Sequence, residues 1–200
     1  RVDESVKNPK KYNEYNYKKA KIFFNTCFKS GLKKVIFSST AAVYGNPTEI
    51  PVSEKTVPNP VSPYGAEKLS LEFYGKSFAN AYDMNCISLR FFNVYGKGQS
   101  NEYAGVITKF MEKIHSNLPL TIFGNGENTR DFIHIDDLVD GIYKLLFSKH
   151  DRPINLGNPE EISVIEFANE IIELVGNKNK IIFKDLPEND PLKRRPDISK

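Results

Sequence analysis

The chain has 200 residues, a net charge of +3 and 40% hydrophobic residues. That is apolar material for one sizeable core or two small ones; the weak charge and the lack of an RNA- or DNA-reading motif argue against a nucleic-acid partner. No apolar run reaches the length of about 18 residues that a membrane span needs, and two isolated cysteines (Cys27, Cys86) with three scattered histidines suggest neither a disulfide framework nor a metal centre.

In chain order, the patterning predicts a helix over about 10–30, with Ile22, Phe23, Cys27 and Phe28 on one side, then a strand over 34–38. A proline-punctuated loop (Pro47, Pro51, Pro58, Pro60) leads to a helix over 63–82, opened by Ser62 as N-cap and Pro63 at the first helical position. A strand over 86–91, a loop to about 102, a helix over 104–117 and a strand over 120–123 follow, ending in the turn Gly124-Asn125-Gly126. Next come a strand over 131–134, a helix over 136–148 capped by Asp136, and a strand over 153–156. A helix over 163–175 between Ser163 and Gly176, and a strand over 180–183, close the reading. Strand–helix alternation of this kind argues for a parallel α/β fold.

Tyr64 and Lys68 lie four residues apart and share one helix face. The spacing alone carries little weight, because Tyr15/Lys19 and Tyr17/Lys21 repeat it in a lysine-rich stretch. Context distinguishes Tyr64/Lys68: a β-prone run, Val35-Ile36-Phe37, ends in Ser38-Ser39-Thr40 just upstream. In open α/β sheets the ligand crevice lies outside the strand carboxyl ends, where Thr40 and Tyr64 could meet at a substrate alcohol. A tyrosine, with an ordinary pKa of about 10, becomes a base near neutral pH only if its phenolate is stabilised, as by a cation four residues along. Such a set moves a proton on or off an alcohol while a hydride leaves the same carbon, and only a cofactor accepts hydride.

At this point the sequence resembles the extended short-chain dehydrogenase/reductase family, specifically its NAD-dependent nucleotide-sugar epimerases and dehydratases. The resemblance rests on several segments in order: Phe37 to Gly45, Ser62 to Lys68, Leu89 to Gly96, Thr129 to Leu138, Ile154 to Gly157 and Lys193 to Ile198. It implies a Rossmann-type doubly wound parallel sheet, here in residues 1–97, with a smaller α/β substrate domain in 98–200 and residues 136–157 returning to the sheet. It also implies NAD as cofactor, touched by Ser38, Tyr64, Lys68, Phe91 and Asn16. A UDP-sugar substrate would be held by Thr40, Asn93, Val106, Phe123 and Arg130, with Arg194 or Arg195 on the diphosphate. Thr40, Tyr64 and Lys68 would be the catalytic set. A homodimer built on helices 10–30 and 63–82, and a cytoplasmic location, follow by analogy.

The family's glycine-rich NAD-binding turn is not found at the start of this chain, which is therefore expected to be an internal fragment that binds NAD poorly by itself. The residues after Thr40 choose among reactions. The family's dehydratases place acids there, and its UDP-glucuronate decarboxylases a glutamate two positions on; here stand Ala41 and Ala42, which transfer no protons. The expected activity is therefore 4-epimerisation of UDP-glucose/UDP-galactose or their N-acetyl forms. Around Asn158 and Pro191 the sequence is more similar to the decarboxylases, so decarboxylation or dehydration is the alternative. A non-catalytic nucleotide-sugar-binding module is the reading from a different class.

Overall fold

The computed structural model describes residues 2–100, 105–176, 180–186 and 193–200. Pro9 sets the first boundary. A residue before proline is pushed out of the α region, and Asn8, at φ −141°, ends α1 (Val2–Lys7) and caps α2 (Pro9–Tyr12) by accepting the Lys11 N–H at 3.2 Å. A π-helical turn, Asn13–Lys18, then leads into α3 (Lys19–Lys29). The single helix expected over 10–30 is thus a broken series.

β1 (Lys34–Thr40) runs into a 3₁₀ turn, Ala41–Tyr44. α4 (Pro63–Tyr82) starts as expected, with Ser62 Oγ accepting the Gly65 N–H at 3.1 Å, and stops at Asp83 in the left-handed region. β2 (Asn85–Phe91), β3 (Val94–Tyr95), α5 (Val106–His115), β4 (Leu120–Phe123), β5 (Thr129–Asp131) and β6 (Ile133–His134) follow. The chain continues through α6 (Ile135–Phe147), β7 (Ile154–Leu156), β8 (Glu161–Ser163), α7 (Val164–Val175) and β9 (Ile181–Lys184).

β1, β2 and β7 form a parallel sheet in that order, with Ser38 beside Leu89 and Phe91 beside Leu156. Successive side chains of β2 point to opposite faces. Cys86 joins Phe24, Cys27 and Leu71 under α3 and α4, while Ile87 and Leu89 join Leu145 of α6 and Ile154 of β7. Both faces of this strand are thus buried. A separate core of Phe110, Ile114, Leu120, Ile122, Val164, Ala168 and Ile171 fills the space between α5, α7 and the parallel pair β4–β9.

Two further expectations need correction. The strand over 131–134 is two strands with different partners: β5 pairs antiparallel with β8, and β6 pairs parallel with β3, neither of which was expected. α6 is capped by His134, whose Nδ1 accepts the Asp136 N–H at 3.3 Å, rather than by Asp136. Elements of two or three residues leave no periodicity to read.

A buried polar chain locks α4 to the sheet. Arg90 of β2 donates to both Glu72 oxygens and, at 2.8 Å, to the Tyr44 hydroxyl. Tyr44 donates in turn to Asn155 Oδ1 at 2.7 Å. Asn155 Nδ2 reaches the carbonyls of Val52 (2.9 Å) and Asp197 (3.2 Å), tying the proline-rich loop to the C-terminal segment. Val52 and Pro196 also form an isolated parallel bridge.

Candidate active site

Thr40 ends β1 with its Oγ1 accepting the Ala42 N–H at 3.2 Å, which starts the 3₁₀ turn. That leaves the Thr40 proton for another acceptor, and the neighbouring Thr40 hydroxyl acts to lower the Tyr64 pKa. Gly65 permits this approach: a Cβ there would stand 2.7 Å from the Ala42 carbonyl oxygen and 3.0 Å from Pro60, so only glycine lets the first turn of α4 lie against the 3₁₀ turn. Tyr64 is held from behind by an N–H bond to Ser5 Oγ at 3.2 Å and by the edge of the Tyr12 ring.

Lys68 lies on the same face of α4. Its Nζ donates to the Ser38 carbonyl at 2.9 Å and stands 6.0 Å from the Tyr64 ring centre. Burial pushes the Tyr64 phenol up, against the effect of the Thr40 hydroxyl, and burial pulls the Lys68 ammonium down. The sequence suggested a Tyr64 pKa lowered by Lys68; in the structure the shift is upward, with desolvation as its largest cause. One Lys68 N–H is used, leaving two for a further acceptor.

Thr40 and Tyr64, but not Lys68 or Ser38, line a cleft of ≈ 140 Å³ whose walls also include Phe91, Asn93, Arg130 and Arg194. Ala41 and Ala42, both nearly buried, complete the wall beside Thr40. Arg130 reaches it from β5, donating to the Thr129 carbonyl at 2.7 Å. Arg194 reaches it from the C-terminal segment, its Nη2 donating to the Gly45 carbonyl at 2.6 Å. Arg195 does not line it; its carbonyl is used by the Val52 N–H at 2.7 Å. Of the two arginines the sequence left open, the structure brings Arg194 to the cleft.

The other expected residues lie elsewhere. Asn16 is half-buried in the π-helical turn. Val106 opens α5 and packs on the second core. Phe123, 44% exposed, ends β4. None of the three lines this cleft. Sequence reasoning missed Asp131, which does. It is 1% exposed and accepts from Asn93 Nδ2 at 2.6 Å and from the Asn158 N–H at 3.2 Å. Burial, partly offset by those bonds, raises its pKa to about 6. The available signal was a carboxylate next to Arg130 at the start of the apolar pair Phe132-Ile133.

The sequence profile of the NAD dependent epimerase/dehydratase family matches residues 1–157. The chain belongs to this family. Among its members, the UDP-glucose 4-epimerase of Azospirillum brasilense is 33% identical over 95% of this chain and 60% of its own length. UDP-glucuronic acid decarboxylase 1 of Xenopus tropicalis is 34% identical over 84% of this chain and 41% of its own. The structure of the UDP-N-acetylglucosamine 4-epimerase from Methanobrevibacter ruminantium, in complex with UDP-N-acetylmuramic acid, superposes with a TM-score of 0.96 at 33% identity. It covers 100% of this chain and 65% of that one. The fold is thus the Rossmann-type α/β fold of the family's epimerases, and NAD is the family's cofactor. The chain spans 41% to 65% of the lengths of these three relatives.

Proposed function

We propose that the complete protein is a UDP-hexose 4-epimerase acting on UDP-glucose/UDP-galactose or their N-acetylated forms. The observation that carries this reading is that the Thr40 and Tyr64 hydroxyls line one cleft together with Arg130 and Arg194. Guanidinium forks suit diphosphate oxygens, and the hydroxyl pair suits a sugar alcohol.

NAD, when bound, would supply the hydride acceptor that C4 chemistry needs, and Lys68, with one N–H on the Ser38 carbonyl, would be among the residues that hold it. Ser38, Tyr64, Lys68 and Phe91 are the proposed contacts of its nicotinamide half, with Asn16 nearby; Val106 and Phe123 are the proposed neighbours of the uracil. Tyr64 takes the proton of the C4 hydroxyl as base and gives it back as acid. Thr40 donates to Tyr64 and orients the same hydroxyl. Lys68 offsets the cost of the buried phenolate once its charge is directed there. Beside them the Ala41 and Ala42 methyls move no proton, as a reaction that only inverts C4 requires. Asp131, the other acid on the cleft, has both oxygens occupied by N–H donors.

Decarboxylation of UDP-glucuronate is the second reading, favoured by the identity to the Xenopus enzyme. A non-catalytic binding module would leave the Thr40–Tyr64–Lys68 set without a use. We further propose a homodimer through α3 and α4, whose outer faces expose Ile22, Phe23, Phe28 and Phe73, and a division of the chain near residue 97. No helix among the described residues is long and apolar enough to cross a membrane.

The test is full-length protein incubated with NAD and each of UDP-glucose, UDP-galactose, UDP-N-acetylglucosamine and UDP-glucuronate, with products read by mass and NMR. An isomer inverted at C4 is expected, and loss of carbon dioxide or water would overturn the choice of reaction. Tyr64→Phe is expected to lower turnover by about 10²–10⁴; full retained activity would refute the mechanism.

A further inference from the structure

We infer that Asp131 is a positioning residue that fixes which end of the Asn93 side-chain amide faces the cleft, so that Asn93 presents its carbonyl oxygen and reads a sugar hydroxyl rather than a phosphate oxygen. The inference rests on the nucleotide-sugar reading above and assigns one part of that ligand to one residue.

An ionised carboxylate only accepts hydrogen bonds, whereas a primary amide has a donor end and an acceptor end. Asp131 Oδ1 sits 2.6 Å from Asn93 Nδ2. Turning the amide over would set its oxygen against the buried Asp131 carboxylate at that distance, acceptor against acceptor. Both partners are tethered. The Asn93 main-chain carbonyl accepts the Ile133 N–H at 3.0 Å, and the second Asp131 oxygen accepts the Asn158 N–H at 3.2 Å. The end of the Asn93 side chain left to the cleft is therefore its oxygen. A diphosphate offers only acceptor oxygens, which that oxygen repels; a sugar hydroxyl offers a proton. Arg130 and Arg194 then serve the diphosphate, and Asn93 the hexose.

The arrangement depends on the Asp131 charge. Burial raises its pKa to about 6. The charged groups around it are Arg130 next in the chain, Glu161 opposite in the β5–β8 register, and Arg194 across the cleft. Glu161 is engaged with Thr129 Oγ1 at 2.7 Å. Once protonated, Asp131 donates as well as accepts, and the amide is free to turn.

The experiment is calorimetric titration of the full-length, NAD-loaded protein with UDP and with UDP-glucose, from pH 5.5 to 7.5. The wild-type preference for UDP-glucose over UDP is expected to shrink as pH falls through about 6. In Asp131→Asn the affinity for UDP-glucose should drop about 5- to 10-fold, the loss of one oriented hydrogen bond, with UDP within about twofold of wild type by the same reasoning; the pH dependence should vanish. Asn93→Ala should lose the same preference, and adding Asp131→Asn to it should cost nothing more. Equal losses for UDP and UDP-glucose, additive losses in the double variant, or a wild-type preference flat across pH would overturn this inference while leaving the nucleotide-sugar reading intact. The wild-type pH series decides if Asp131→Asn does not fold. A wild-type protein that binds neither ligand would overturn the nucleotide-sugar reading and this inference with it.

Discussion

Replacing Arg90 with methionine isolates the ion pair that holds α4, and with it Tyr64 and Lys68, to the sheet. The Arg90 and Glu72 side chains are 4% and 5% exposed. Arg90 Nε lies 3.0 and 3.2 Å from the two Glu72 oxygens, Nη2 lies 2.6 Å from Oε2, and Nη1 lies 2.8 Å from Tyr44 Oη. Burial alone would favour the uncharged guanidine, but the bonds and charge of Glu72 outweigh it and hold the Arg90 pKa up. Methionine matches the arginine stem but donates nothing. Glu72 would keep only the Ser39 hydroxyl as partner and become a buried charge without a counterion, which costs about 3–5 kcal/mol. Against a total stability of about 5–15 kcal/mol for a domain, that loss is large. Urea unfolding at pH 7, followed by circular dichroism, measures it. Adding Glu72→Leu removes the orphaned carboxylate, so the double variant is expected to regain at least ~2 kcal/mol over Arg90→Met. An Arg90→Met cost below ~1 kcal/mol, or single costs that simply add, would refute the reasoning.

Three further outcomes are expected. Gly45→Ala should destabilise by about 2–3 kcal/mol or more in urea, because Gly45 has φ +62° and a Cβ there would lie 1.9 Å from the Asn59 carbonyl oxygen; wild-type stability would contradict the packing. The Asp131 carboxyl, followed by carbon NMR, should titrate near pH 6. Since that value is above the ordinary 3.8, its ionisation weakens the fold as pH rises from about 4 to about 6, and a midpoint near 4 would remove the pH argument made for Asn93. Phe23→Lys with Phe73→Lys should convert a dimer to a monomer by light scattering, both being more than half exposed on α3 and α4; an unchanged mass would place the contact elsewhere.

What the sequence determined by itself was everything that depends on neighbours within a turn or two. Ser62-Pro63 opens α4, and Ser163 with Glu166 forms the capping box of α7, which Gly176 closes. The i,i+4 spacing of Tyr64 and Lys68 placed them on one helix face, and the apolar run Val35-Ile36-Phe37 marked β1. Interactions between distant segments leave no such mark. Asp131 meets Asn93 across 38 residues and Asn158 across 27, and β3 and β8 are too short to show a period. Arg194 and Arg195 are adjacent and chemically identical. In an extended segment adjacent side chains point opposite ways, so which of them enters the cleft was decided only when Pro196 bridged to Val52 and set the register. The lysine four residues from Tyr64 predicted an activated phenol, but tertiary packing buried both groups, and desolvation, which no local pattern encodes, raises the phenol and lowers the ammonium.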